Sequence, residues 1–171
     1  MQTGTQALQG LGYYSEREFD FAPFEAQRRL ILELGRACIH HLHRNFDVLN
    51  LLWQGIAGYA RDHGARYLMG CSSLSLQDEA LGAAAYLQLG RHLAPFAWQT
   101  RPHPVFACAM AKPANDAVHL PRLLSAYLAL GAVVCGPQAI DREFRTIDFL
   151  TWIDVESPRV LATQQRGRFR V

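Results

Sequence analysis

An α/β layer fold, a sheet covered by helices, is what this 171-residue sequence predicts, on three observations. Segments with the spacing of buried strands alternate with segments of helical period, opening strand, helix, strand, helix from residue 25 onward. Half of the composition is apolar and only 19% is charged, enough for a chain of this length to enclose a sizeable core. No internal repeat or low-complexity tract breaks the pattern, which leaves one globular domain over 1–158 and a polar, Arg-rich tail over 159–171.

Residues 1–12 (MQTGTQALQGLG) are polar, glycine-rich and aperiodic, and are expected to fray. Tyr13 to Pro23 is a short aromatic and acidic stretch. Glu25 to His40 is expected as a strand dense in Leu and Ile, its interior Gly35 marking a bulge or a close backbone approach. From Asp47 the period changes: Val48, Leu51, Leu52, Ile56 and Tyr59 recur at helical spacing, Asp47 serves as N-cap and Gly64 closes the helix. Arg66 to Leu74 reads as a second buried strand, and Gln77 to Leu93 as a second, alanine-rich helix. The proline-rich stretch from Ala94 to Leu120 reads as loop around one short strand, Val105 to Met110. Pro121 suits the first turn of a third helix, Arg122 to Leu130, stopped by Gly131. Ala132 to Gly136 and Ile147 to Val155 are the last strands, with a charged loop over 141–146.

A formal charge of +2 with no run of like charges argues against bulk nucleic-acid binding. The four cysteines lie far apart with no secretory signal before them, so free buried thiols in a reducing cytoplasm are expected. No stretch reaches the roughly 18 apolar residues of a membrane span. A peripheral contact at the inner face of the membrane fits a product that carries a fatty chain. GxSxG, HExxH, P-loop and CxxC spacings are absent. His40, His41 and His43 lack the complementary cysteine or carboxylate spacing of a metal centre, and no metal is expected.

Chemistry is sought at the strand-to-helix step over 33–52, because a helix N-terminus presents unpaired N–H groups that suit phosphate or the oxygens of a phosphopantetheine arm. Arg44 and Asn45 stand just before that terminus; the plainer reading makes Arg44 a solvated loop residue and Asp47 a simple cap. Glu33 and Arg36 are an acid and a base three apart in an apolar strand, on opposite faces unless Gly35 introduces a bulge. Each needs a partner, as a structural ion pair or as a catalytic pair. Asp141, Arg142, Glu143, Arg145 and Asp148 form either a solvated turn or a set of opposite charges suited to an amine and a carboxylate.

The segments GYYSEREFD (12–20), LELGRACIH (32–40), HRNFDVLNLLWQGIAGY (43–59), RYLMGCSSL (66–74), LPRLLSAYLALGAVVCG (120–136) and IDREFRTIDFL (140–150) together resemble the ornithine N-acyltransferases of ornithine-lipid synthesis and the hemolysin-like GNAT proteins. More remotely they resemble N-acyl amino acid synthases and acyl-homoserine-lactone synthases. The resemblance implies a GNAT-like mixed sheet flanked by helices, with a splayed pantetheine groove. It also implies an acyl-carrier-protein or acyl-CoA thioester as donor, an amino acid as acceptor, and no tightly bound cofactor. Glu33 and Arg36 match the family's Glu-x-x-Arg, and Glu33 would orient or deprotonate the amine, directly or through water. A strand N–H between Gly35 and Cys38 would hold the thioester oxygen. Arg44 and Asn45 fall on the family's Arg-Asn, followed here by Phe46 and Asp47 where the family has a small residue, so that a ring and a negative charge face the phosphate position. Ser125 and Pro137 also depart, standing where a lysine and an acidic residue are expected. Arg28, Arg29, Arg44 and Arg122 either supply a docking patch for an acidic carrier or are scattered surface charges.

The family's fold begins with further strands and a helix before the Tyr-Ser-x-x-Glu-Phe-Asp segment, and only about a dozen residues precede it here. The sheet is therefore expected to lack its first strands, completed by a partner chain or left as an uncapped edge. Two further readings stand beside the acyl-carrier-dependent enzyme: an acetyl-CoA-dependent N-acetyltransferase, and a non-catalytic GNAT remnant.

Overall fold

The structure is a computed structural model that describes residues 1–35, 38–109, 112–114, 118–158 and 160–161, with every side chain of these except that of Phe46. Its start is strand and helix rather than fraying coil. β1 (Gln2–Thr3) leads into α1 (Gly4–Gln9), closed by a capping box in which Gln6 N donates to Thr3 Oγ1 and Thr3 N donates to Gln6 Oε1. An element of six residues is too short to declare a period in sequence. Gly4 is obligatory here, because a Cβ would lie 1.9 Å from the Arg28 carbonyl oxygen.

The expected strand over 25–40 is largely replaced. Ala22–Leu30 forms a 3₁₀ stretch, and only β2 (Ile31–Glu33) pairs as strand. Arg28 explains the change: its guanidinium donates to Glu16 at 2.5 and 3.0 Å and to Glu25 at 2.7 to 3.0 Å, which draws a buried arginine inward as part of a helical turn. Hydrogen bonds to Glu16 and then Glu25 hold its proton even more firmly than usual, and its burial places Arg28 in the interior rather than on a docking patch.

α2 (Phe46–Asp62) is capped two residues earlier than expected: Asn45 Oδ1 accepts from Val48 N at 3.0 Å, and Asp47 lies in the first turn. β3 (Tyr67–Leu74), α3 (Glu79–Gln88) with Asp78 as cap, and α4 (Arg122–Leu130) follow, the last ended by Gly131 at φ 107°. In place of the strand expected from Val105, Pro104–Phe106 makes a 3₁₀ turn and Ala107 forms a single bridge to Ala139; Met110 lies outside the described residues. β4 (Val133–Val134) is shorter than expected. β5 (Ala139–Asp141), unforeseen, and β6 (Thr146–Asp154) complete the sheet. Of the tail, Val160 is buried against Ala132 and Ile153.

The six strands form one mixed sheet in the order β1-β2-β3-β6-β4, with β5 on the same edge of β6 as β4. β2 and β3 are parallel, and the other pairs antiparallel. Register then assigns the faces. One face carries Leu68, Gly70, Ser72, Phe149, Thr151 and Ile153, packed under the helices. The other carries Tyr67, Met69, Cys71, Leu150 and Trp152 under an aromatic cover from Phe24 and Trp98, whose rings each lie 5.1 Å from that of Trp152, Phe24 stacked on it and Trp98 tilted.

β2 and β3 part early. Leu34 N donates to Met69 O at 2.7 Å, the last bond between them among the described residues, while β3 runs on to Leu74 beside β6. The departing chain crosses Gly70, where a Cβ would stand 2.4 Å from the Leu34 carbonyl oxygen. The close approach is thus at Gly70; nothing lies within 4 Å of a Cβ built on Gly35. Gly70→Ala is expected to destabilise the fold by about 1–3 kcal/mol through this overlap, measured by urea unfolding, and an unchanged midpoint would mean that the parting does not depend on a bare Cα.

Candidate active site

The acidic residues of the sheet face opposite the helices collect at one end, beyond the aromatic cover. Strand alternation puts Glu33 on the face of Ile31, and Asp148 on the face of Leu150 and Trp152, opposite Ser73 of β3 and Ala139 of β5. Asp141 pairs with Thr146 and shares that face. Glu18 arrives from outside the sheet on a segment pinned to the chain near residue 100: His103 N donates to the Glu18 carbonyl at 2.7 Å and Asp20 N to the Arg101 carbonyl at 2.9 Å. These four carboxyls line a cavity of about 520 Å³ that reaches Leu34 and Gly35 at the strand parting.

All four are buried: Glu18 and Asp148 are each 3% exposed, Glu33 5% and Asp141 6%. Glu18 and Asp148 lie within hydrogen-bonding reach of one another, and Glu18 Oε2 and Asp148 Oδ1 receive no donor among the described residues. Burial, then the charges of Asp148 and Asp141, push the Glu18 carboxyl up to about 8. Burial also raises Asp148, against hydrogen bonds from Ser73 and Thr146, whose hydroxyl donates to Asp148 Oδ2 at 2.9 Å. Around neutral pH the pair therefore keeps a proton. Asp141 is partly occupied locally, its Oδ1 accepting from Glu143 N at 2.8 Å and Phe144 N at 2.9 Å.

Glu33 is held differently. Its Oε2 accepts from Tyr14 N at 2.7 Å, and its Oε1 from Ser15 N at 2.8 Å and Ser15 Oγ at 2.5 Å. The carboxylate thus caps the Tyr14–Arg17 turn and ties β2 to the segment that brings Glu18. Cys71 stands among the acids. Burial, and then Glu18, Asp148, Glu33 and Asp141, hold its thiol well above the usual range, so it stays protonated.

Through the same parting the opposite sheet face opens into a second cavity of about 360 Å³. Its walls are apolar: Leu68 and Ile153 of the sheet, Trp53 and Ile56 of α2, and Leu124 and Tyr127 of α4. Trp53 meets Tyr127 edge-on at 5.5 Å, joining the two helices over the cavity.

Residues 1–54 match the family model described as Acetyltransferase (GNAT) domain, a stretch that contains Glu18, Glu33 and the start of α2. An L-ornithine N(alpha)-acyltransferase of Rhodobacter capsulatus is 32% identical over 151 residues, which are 85% of this chain and 58% of that protein. L-ornithine N(alpha)-acyltransferases of Brucella abortus and Agrobacterium fabrum are each 31% identical over 161 residues, 88% of this chain and 57% and 55% of theirs. The chain is similar to L-ornithine N(alpha)-acyltransferases across most of its length. It spans a little over half the length of the curated relatives it matches. No solved structure gives a significant match.

Set beside this likeness to the acyltransferases, the residues singled out by motif scatter. Glu33 lines the acidic cavity. Arg36 lies outside the described residues, as does the side chain of Phe46. Cys38 is exposed and falls beyond the end of β2, so no strand amide is offered by the described residues between Gly35 and Cys38. Arg44 folds back on its own loop, its Nε donating to the Ile39 carbonyl at 3.1 Å; Asn45 is spent on the cap; Asp47 is exposed. None of these four lines the cavities described above. No motif singles out Glu18, and of the two readings of the charged set over 141–148, solvated turn or holder of an amine and a carboxylate, Asp141 and Asp148 follow the second in lining the cavity. Period-two alternation with Leu150 and Trp152 is the signal that would have placed Asp148 on a covered face.

Because Glu18 keeps its proton to a higher pH folded than unfolded, the folded state binds the extra proton from the ordinary carboxylate range up to about pH 8. Stability is fully present below that range and falls as pH rises through it, with a slope approaching about 1.4 kcal/mol per pH unit. Glu18→Gln is expected to flatten the slope in urea unfolding across the window; parallel slopes for the two proteins would contradict the assignment.

Proposed function

We propose that this chain carries the transfer centre of an amino-acid N-acyltransferase, which moves a long acyl group from a phosphopantetheine thioester to the amine of an acceptor such as ornithine. The observation that carries the reading is that an acidic and an apolar cavity, on opposite faces of one sheet, meet where β2 and β3 part. An amine is drawn to the acidic side, and an acyl chain fills the apolar side; a two-carbon acetyl group would leave that side largely empty, which favours a long-chain donor over acetyl-CoA. The names of the similar proteins supply ornithine and its α-nitrogen as the first acceptor to try.

The pantetheine arm lies along the edge of β3 that β2 vacates. Backbone groups alternate along a strand, so the amides of Cys71 and Ser73 point to the same edge as the Met69 carbonyl, which accepts from Leu34. They are the donors proposed for the thioester oxygen as negative charge builds on it. Glu33 orients the amine and takes its proton, directly or through water, with the lone pairs left by its three hydrogen bonds. The new C–N bond forms, the C–S bond breaks, and the thiol of the arm leaves with a proton. Cys71, kept protonated, is no nucleophile, and transfer is direct. The donor is the thioester of an acyl-carrier protein or of coenzyme A. No helix among the described residues is long and apolar enough to cross a membrane.

Purified protein given a long-chain acyl-carrier thioester and mixed amino acids is expected to yield an N-acyl amino acid by mass spectrometry, with acetyl-CoA a poor donor. Folded protein that gives no product from any donor would favour the non-catalytic reading. Glu33→Gln is expected to lower turnover by roughly 100-fold or more, and turnover equal to wild type would remove Glu33 from the reaction. After incubation with donor alone, the peptide containing Cys71 is expected to be unmodified; an acyl group on it would replace direct transfer with a two-step path.

A further inference from the structure

The acidic cavity holds more negative charge than one reacting amine requires. One carboxyl oxygen each from Glu18, Asp141 and Asp148 lies within 4.8 Å of the others, Glu18 on its own segment and the two aspartates on the β5–β6 hairpin. Among the described residues that line this cavity there is no lysine, arginine or histidine; the positive groups nearby are the Met1 α-ammonium at its rim and Arg17 and Arg142, which line the adjoining hollow with Glu18 and Asp141. Within this cluster Glu18 Oε2 and Asp148 Oδ1 are buried without a donor among the described residues, in residues that are each 3% exposed. Such groups are costly unless a proton or a cation sits between them. The spacing suits an ammonium: three N–H···O bonds of about 2.8 Å from a tetrahedral nitrogen put their acceptor oxygens about 4.6 Å apart.

We propose that Glu18, Asp141 and Asp148 form the subsite that recognises the second ammonium group of a diamino acid acceptor: the α-amine reacts at the strand parting while the side-chain ammonium sits among these three carboxyls. The proposal rests on the reading of this cavity as the acceptor side. It goes further in assigning the selectivity to Glu18, which no motif singles out, together with Asp141 and Asp148 of the charged set, while Glu33 serves the reacting amine. In the empty site the Glu18 and Asp148 pair keeps a proton, with Asp148 facing from β6, Asp141 from β5, Cys71 from β3, Glu33 from β2 and Arg17 beside Glu18 on its own segment. An entering ammonium takes the place of that proton, which passes to solvent. Binding of the second amine is therefore coupled to proton release near neutral pH.

The test is calorimetric titration without acyl donor, so that it does not depend on turnover. The ligands are ornithine, 1,4-diaminobutane and norvaline, which has the ornithine skeleton without the second amine, each in two buffers of different ionisation enthalpy. Wild type is expected to bind ornithine at least tenfold more tightly than norvaline, to bind 1,4-diaminobutane, and to release protons with both diamines. Glu18→Gln and Asp148→Asn, each checked for folding by circular dichroism, are expected to bring ornithine down to the norvaline level. Equal binding of ornithine and norvaline by wild type overturns the proposal whatever the variants do. So does an ornithine preference that survives in either folded variant, and so does exclusion of ornithine by low concentrations of calcium or magnesium, which would make the cluster a metal site. Ornithine binding that depends on Glu18, in a protein that transfers no acyl group, would uphold the subsite and remove only the proposed reaction.

Discussion

The carbonyl oxygen of Leu34 stands where a side chain at position 70 would have to be, and that contact is possible only because residue 70 is glycine. From it the rest of the arrangement follows. A strand that has a neighbour on both edges is closed to ligands, since its amides and carbonyls are committed to the ladder. By lifting β2 away after the bond from Leu34 to Met69, the chain leaves β3 with a one-sided length that runs to Leu74. It also opens the sheet to both faces at one place. Without the parting, the acidic and apolar cavities would be separate hollows with no common border.

The polarity of the two cavities is set by what covers each face. Under α2 and α4 the sheet meets Trp53, Ile56, Leu124 and Tyr127, side chains with little to offer except area, and the hollow between them is apolar. On the other face the aromatic cover of Phe24 and Trp98 protects the end near Tyr67 and Trp152. Beyond it the cover is the segment that carries Glu18. Removing water from Asp148 and Asp141 by packing another carboxyl over them works against the fold, and the raised Glu18 and Asp148 are the measure of that conflict. Arrangements of this kind are concentrated where a protein handles charge rather than where it only packs.

The supports of this strained group are conspicuously ordinary. Glu33 caps a single turn with three hydrogen bonds, Arg28 binds Glu16 and Glu25 beneath it, and the backbone near residue 100 pairs with the backbone around Glu18. The cluster is thus positioned by neutral amides and by an ion pair outside the cavity. Both leave its own charge uncompensated and available to a ligand.

Alternation and caps made the layered fold, the long helix from residue 46, the strand from residue 67 and the last strand legible in sequence, because each has enough residues to declare its period and a glycine or cap to end it. The short pieces were not legible. β1, α1 and β5 are held by pairing, capping and a close approach to Arg28 from far along the chain, none of which leaves a local period. Glu33 was visible as an acid in an apolar run. Glu18 and the hairpin that carries Asp141 and Asp148 lie far apart in the chain, and only the register of β6 against β3 and β5, with the Tyr14 turn folded over them, brings the acids to one cavity. Sequence by itself determined the kind of layers and the acyltransferase likeness, because both are written in local patterns. The tertiary structure decided which acids meet and which strand edge is left open, because both depend on distance through space.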